Sequence, residues 1–256
     1  MIDAHNHLQD PRFLGDQKTL IAKMKSEGIT ACVVNGTCEE DWPKVSELAN
    51  QHPGFVIPSF GLHPWKVSER SPSWFETLRD FLEAHPEAGL GECGLDRWMK
   101  KPDLEAQHSV FRAQLELAHE LDRPATIHCL KACGPLLDEL RSQPALPRFL
   151  LHSFGGSIEV ARQCLKLGSW FSFSGYFLHP KKAATRAVFT QIPLERILAE
   201  TDAPDMAPPY PSHNLGSLNH PANLRMITDE LASLCECPVD TFSKNAREFF
   251  LGIRER

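Results

Sequence analysis

The stretch AGLGECGLDRWMKKPDLEAQHSVFRAQLELAHELDRPATIHC, residues 88–129, decides the fold. Between Asp103 and Leu121, the apolar residues Leu104, Val110, Phe111, Leu115, Ala118 and Leu121 recur at helical spacing with polar residues between them. That is the signature of an amphipathic helix with one face buried. The flanking runs, AGLGECG around Leu90 and PATIHC around Ile127, are short and apolar and read as strands. Strand, helix, strand in this order predicts a parallel pair joined by a crossover helix. Each strand also ends in a chemically competent side chain, Glu92 in the first and His128 in the second.

The same unit recurs in both directions. Further strands are predicted in MIDA at the start, TACVVNG around Val33, FVIPSFG around Ile57, RFLLHSF around Leu150, SWFSFSG around Phe171 and RILAETD around Leu198. Helical patterns occupy Pro72 to Ala84, Cys133 to Arg141, Ser157 to Leu167, Pro221 to Cys235 and Val239 to Ile253. Eight strands alternating with helices in 256 residues predict an α/β chain folded as one (β/α)₈ TIM barrel over residues 1–256. Ala203 to Pro221 departs from the pattern. Pro204, Pro208, Pro209 and Pro211 exclude a helix there and predict a long loop over the barrel mouth.

Composition narrows the function classes. Hydrophobic residues make up 42% and charged residues 23%, an ordinary globular balance. The net charge of −6 supplies no global field for a polyanion, so a nucleic acid must be held by a local basic patch or by bound cations. Eight cysteines lie at irregular spacing without a CxxC pair, which predicts free thiols of a cytoplasmic protein. Cys235 and Cys237 lack the second close pair that a structural zinc site needs. The opening MIDAHNHLQD has neither the basic region nor the apolar core of a signal peptide, and no apolar run is long enough to span a bilayer. A cytoplasmic monomer without membrane association is expected.

Seven polar side chains stand at or just past strand ends: His5, His7, His63, Glu92, His128, His152 and Asp202. In a (β/α)₈ barrel those ends meet on one face, where active sites lie. Singly, each has an ordinary explanation: a histidine bonded to backbone carbonyls, a salt-bridged glutamate, an aspartate capping a turn. Together they have the composition of a metal centre. His5 and His7 are two apart on a strand and point the same way, so both can grip one cation. Imidazole with carboxylate suits zinc or manganese, and carboxylate-rich sites also accept magnesium. Two divalent ions (Zn²⁺, Mg²⁺ or Mn²⁺) are expected, with Glu92 as the bridge. His128 and His152 would hold the second ion, and Asp202 would complete the first. Water between two cations becomes a nucleophile near neutral pH, and Asp202 would orient it or take its proton. His52, His85, His108 and His119 are expected to face solvent, and His179, His213 and His220 to lie in loops at the mouth.

In this order the motifs resemble the TatD family of metal-dependent hydrolases. The resemblance rests on Asp3-Ala4-His5-Asn6-His7-Leu8, Gly61-Leu62-His63-Pro64, Gly91-Glu92-Cys93-Gly94-Leu95-Asp96, a helix bearing Gln107, Phe111, Gln114 and Leu115, Pro124 to His128, His152-Ser153-Phe154-Gly155-Gly156, Glu200-Thr201-Asp202-Ala203-Pro204, and Asn245 to Phe250. It implies one ion on His5, His7, Glu92 and Asp202, a second on Glu92, His128 and His152, and His63 facing a substrate phosphate. It also implies divalent-metal-dependent DNA hydrolysis, often exonucleolytic, with Glu92, Asp202 and His63 as the catalytic set.

Four positions depart from the family pattern: Arg97 and Asp205 where tyrosine is common, Leu130 where arginine is common, and Asn219-His220-Pro221 where N-E-P is usual. Arg97 and Lys131, with Lys100 and Lys101, offer replacement contacts to phosphate. Because the departures face substrate, two other readings stay open. One is an ester or amide hydrolase of the D-aminoacyl-tRNA deacylase kind; the other is a barrel that binds metal without turnover.

Overall fold

The computed structural model describes residues 1–13 and 15–252; the expected helix end at Ile253 lies outside the described residues. Eight strands run β1 (Ile2–Asn6), β2 (Ala31–Asn35), β3 (Val56–Phe60), β4 (Gly89–Asp96), β5 (Ala125–Leu130), β6 (Phe149–Leu151), β7 (Trp170–Ser174) and β8 (Ile197–Glu200). They pair in parallel and in sequence order, as the expected barrel requires. Helices α1 (Gln17–Ser26), α2 (Trp42–Gln51), α3 (Trp74–Ala84), α4 (Leu104–Glu120), α5 (Cys133–Ser142), α6 (Ile158–Leu165), α7 (Ala183–Phe189), α8 (Leu224–Leu234) and α9 (Thr241–Leu251) follow the strands.

The two ends of the sheet meet through polar contacts rather than a long ladder. Asp202 N donates to His5 O at 2.9 Å and His7 N to Ala203 O at 2.8 Å. Deeper in, buried Asp3 accepts from Thr201 N at 2.9 Å and Thr201 Oγ1 at 2.6 Å. A single carboxylate at the seam thus satisfies groups that a continuous ladder would otherwise pair.

Alternation along the strands divides the apolar side chains in two. Cys32, Val34 and Phe60 face the surrounding helices. Ile2, Ala4, Ala31, Val33, Ile57, Leu150 and Leu198 form a separate cluster with Ala246, Phe249 and Phe250 of α9. Helix α9 therefore plugs the N-terminal end of the barrel. Asn245 Nδ2 fixes it by donating to the carbonyls of Leu194 and Ile197, both at 2.8 Å. The opposite end is left to the polar residues at the strand termini.

Three helices that the pattern had not singled out, α1, α2 and α7, are short; α1 is also sparsely apolar (QKTLIAKMKS), so its stripe is faint in sequence. The proline-rich segment after β8 contains no α-helix, as expected, but it carries a small antiparallel hairpin, β9 (Asn214–Leu215) with β10 (Leu218–Asn219). Pro221 opens a single 3₁₀ turn before α8, which shortens the helix expected from that residue. No helix among the described residues is long and apolar enough to cross a membrane.

Candidate metal centre

The seven side chains at the strand ends converge around Glu92, which is buried. Its Oε2 lies 3.4 Å from His5 Nε2 and 3.3 Å from His7 Nε2. The same two nitrogens are 3.1 Å apart and stand 3.5 and 3.6 Å from Asp202 Oδ1. Ligands about 2.1 Å from a tetrahedral cation sit about 3.4 Å from one another, so these four atoms have the spacing of a metal's corners. On the other side, Glu92 Oε1 lies 2.9 Å from His128 Nδ1, 2.8 Å from His152 Nε2 and 3.2 Å from His63 Nε2. His128 Nδ1 and His152 Nε2 are 3.4 Å apart. Each carboxylate oxygen of Glu92 therefore serves a different histidine group.

Crowding so many imidazoles sets their protonation. Burial works against charge on His7 and His152, yet the facing carboxylates outweigh it and hold both rings well above the ordinary histidine range. Burial likewise opposes charge on Glu92, but His152, His63 and His128 keep it well below the usual carboxylate range. At His5 and His63 burial, reinforced by neighbouring imidazoles, wins: both are lowered, His63 to about 4. A cation held among these groups would take the place of the shared protons.

Two of the ring nitrogens that do not face Glu92 are held from behind. His7 Nδ1 is 2.8 Å from Asn35 O, and His128 Nε2 is 3.0 Å from Asp96 Oδ2. Such outer contacts fix which nitrogen is free to ligate. His63 differs: its Nδ1 accepts from Trp65 N at 3.1 Å, which leaves its proton on Nε2. That nitrogen is a donor, 3.2 Å from Glu92 Oε1, and His63 with Glu92 and His128 also meets the spacing of a ligand group. Glu200, together with His5 and His152, also meets the spacing of a ligand group. Its carboxylate, however, already accepts from Ser153 N at 2.8 Å, Ser153 Oγ at 2.6 Å and Ser172 Oγ. Glu200 therefore backs His152, whose Nδ1 stands 3.6 Å away, rather than opening a third position.

Gly94 makes the β4–β5 pairing possible at this point. It has φ +138°, and a Cβ there would sit 2.0 Å from His128 O. The second residue after Glu92 in the motif thus lets the β5 backbone at His128 approach β4.

Against this geometry, the family model for the TatD related DNase matches residues 2–251. The chain belongs to the TatD family. A 3'-5' ssDNA/RNA exonuclease TatD of Erwinia billingiae is 33% identical over 241 residues, covering 91% of each chain. The metal-dependent hydrolase YjjV of Escherichia coli is 31% identical over 95% of this chain and 93% of its own. The crystal structure of YjjV, a TatD homologue, superposes with a TM-score of 0.90 at 29% identity over 98% of both chains. A TatD family hydrolase from Entamoeba histolytica shares the fold, with a TM-score of 0.86 at 20% identity.

Within this TatD-family barrel, Arg97 and Lys131 do not join the cluster. Both are exposed and lie on the rim just beyond Asp96 and Leu130. Of the other departures from the family pattern, Asp205 is clamped by Arg12, with contacts of 2.9 and 2.6 Å, and His220 Nδ1 accepts from Ala222 N at 3.0 Å. The loop positions are thus used to brace the segment after β8.

Asp96, Glu200 and Asp3 carry supporting roles that the reading of the sequence had not assigned. Their signal was present as acidic residues within strand-end motifs, each of them fully buried. His85 is also buried, against the expectation of solvent exposure, and lies 2.8 Å from Ser46 Oγ.

Proposed function

We propose that this chain is a divalent-metal-dependent nuclease that shortens single-stranded DNA from its 3' end, with two ions. The observation that carries the reading is the division of Glu92, one oxygen toward His5 and His7, the other toward His128 and His152. His5, His7, Glu92 and Asp202 would hold one cation, and Glu92, His128 and His152 the other. Bound there, the ions supply Lewis acidity toward the phosphoryl oxygens and acidify the attacking water. The names of the relatives, exonucleases of single-stranded DNA and RNA, support the substrate and the polarity.

The protein's own groups complete the chemistry. His63 is neutral and carries its proton on Nε2, so it donates to a non-bridging phosphate oxygen without competing for a cation. Asp202, at the lip of the cluster, receives the proton of the attacking water. Arg97 and Lys131 meet the phosphates that follow. A basic rim beside the site suits a polyanion better than the ester or amide of the alternative reading.

End-labelled single-stranded DNA incubated with magnesium, manganese or zinc tests this directly. Metal-dependent stepwise shortening from the 3' end, abolished by EDTA and by Glu92→Ala, is expected. Protein shown to bind two ions that leaves DNA intact under every metal would overturn it.

A further inference from the structure

Among the described residues, five large hydrophobic side chains are exposed, and two of them, Trp65 at 51% and Trp98 at 63%, stand beside the metal centre. Exposed apolar side chains grouped at one place, unlike singly scattered ones, mark an interaction surface. Neither ring belongs to a loose surface segment. Trp65 Nε1 donates to Asp96 Oδ2 at 2.7 Å, and Trp98 N donates to Asp96 Oδ1 at 2.6 Å. Asp96 also holds the ligand His128 at 3.0 Å. One buried carboxylate therefore ties the indole of Trp65 and the backbone that carries Trp98 to the reacting end of the site. Trp65 extends this contact edge-on to His63, with ring centroids 5.1 Å apart.

Beside the buried Asp96, three exposed cations stand near these rings. Arg97, Lys100 and Lys131 are exposed on the same rim, and their side chains form no ion pair with a carboxylate among the described residues. Lys131 Nζ lies over Trp98, 5.8 Å from the ring centroid. On a chain with a net charge of −6 this unneutralised group is a local exception. Flat aromatic faces interleaved with cations are what unpaired nucleotides require: a face for the base and a positive charge for the phosphate. A base inside a duplex has both faces already covered by its neighbours, so it cannot use such a surface.

Resting on the nuclease reading, we propose that Trp65 and Trp98 form a stacking platform for the unpaired bases next to the scissile phosphate, with Arg97 and Lys131 on the phosphates, and that this platform sets the requirement for single strands. Both tryptophans are positioning residues that act through the bases and leave the bond cleavage to the metal centre.

The test uses the metal-loaded protein and an oligothymidylate with phosphorothioate linkages at its 3' end, which binds without being degraded. Saturable quenching of tryptophan fluorescence is expected, with part of it lost in Trp65→Phe and part in Trp98→Phe. With cleavable strands, Trp98→Ala should raise KM about tenfold rather than lower kcat, and Trp98→Phe should recover most of that loss. The difference between Trp98→Ala and wild type should collapse on strands whose 3'-terminal nucleotides are abasic. Wild-type protein that degrades the strand, with KM in Trp65→Ala and Trp98→Ala changed by less than about twofold, overturns the platform and leaves the nuclease reading standing. Binding without quenching does the same. Neither binding nor cleavage of the strand overturns both.

Discussion

Asp96 faces His128 Nε2 at 3.0 Å, and in doing so it decides that Nδ1 is the nitrogen turned toward Glu92. Asp96→Asn removes the negative charge behind the ring and frees its tautomer. Metal affinity or activity should fall by about 10–100-fold, the usual effect of losing an outer contact to a ligating histidine. Zinc titration by calorimetry checks this, with a thermal melt to show that the barrel remains folded.

Metal binding should release protons. His7 and His152 are held above the ordinary histidine range in the free protein, so near neutral pH the incoming cations displace protons from them. A raised pKa means that the proton competes more strongly as the pH falls. Apparent metal affinity is therefore highest above the raised histidine values and declines as the pH drops through them. Calorimetric titrations in two buffers of different ionisation enthalpy should give different apparent enthalpies; identical values would sink the idea.

Gly94→Ala should be among the most damaging single methyl additions in the barrel. The new Cβ meets His128 O at 2.0 Å, on a backbone with φ +138° that L side chains rarely adopt. A loss of about 3 kcal/mol or more is expected, large for one substitution. Denaturant unfolding measures it, and a change below about 1 kcal/mol would mean that β4 can shift without harm.

Cys133 should be the first thiol to react. Its Sγ lies 3.8 Å from Cys129 Sγ, and the hydrogen bond from that partner brings Cys133 down to about 7. Burial pushes Cys32 and Cys93 in the opposite direction. Limited alkylation near pH 7.5, mapped by mass spectrometry, should label Cys133 before the buried thiols; preferential labelling of another cysteine would count against the assignment.

Much of this was legible in the sequence because the barrel repeats one simple unit. Each strand is apolar until it reaches the C-terminal face, where a histidine or a carboxylate interrupts the run. His5, Glu92, His128 and Asp202 are such interruptions, and the topology brings them together once the strand order is known. The supporting carboxylates were harder to read. Asp96 and Glu200 lie at the ends of the same strands as Glu92 and near Asp202, and only their side-chain partners distinguish a ligand from the residue behind it. The hairpin at Asn214–Asn219 escaped because prolines exclude helix without specifying what replaces it. His85 looked like an ordinary helix-end histidine; its burial depends on Ser46, far away in the chain.

The seam between β1 and β8 has a consequence for how the enzyme comes into being. His5 lies in the first strand of the barrel and His7 just past it, whereas Asp202 and the Thr201 that locks Asp3 follow the eighth, with Thr201 198 positions beyond Asp3. A barrel formed only through its earlier strands still lacks Asp202, the residue that stands 3.5 and 3.6 Å from the first pair of histidines. The first cluster is therefore a contact of long sequence separation, the kind that closes slowly in folding, and it is complete only when the last strand docks against the first.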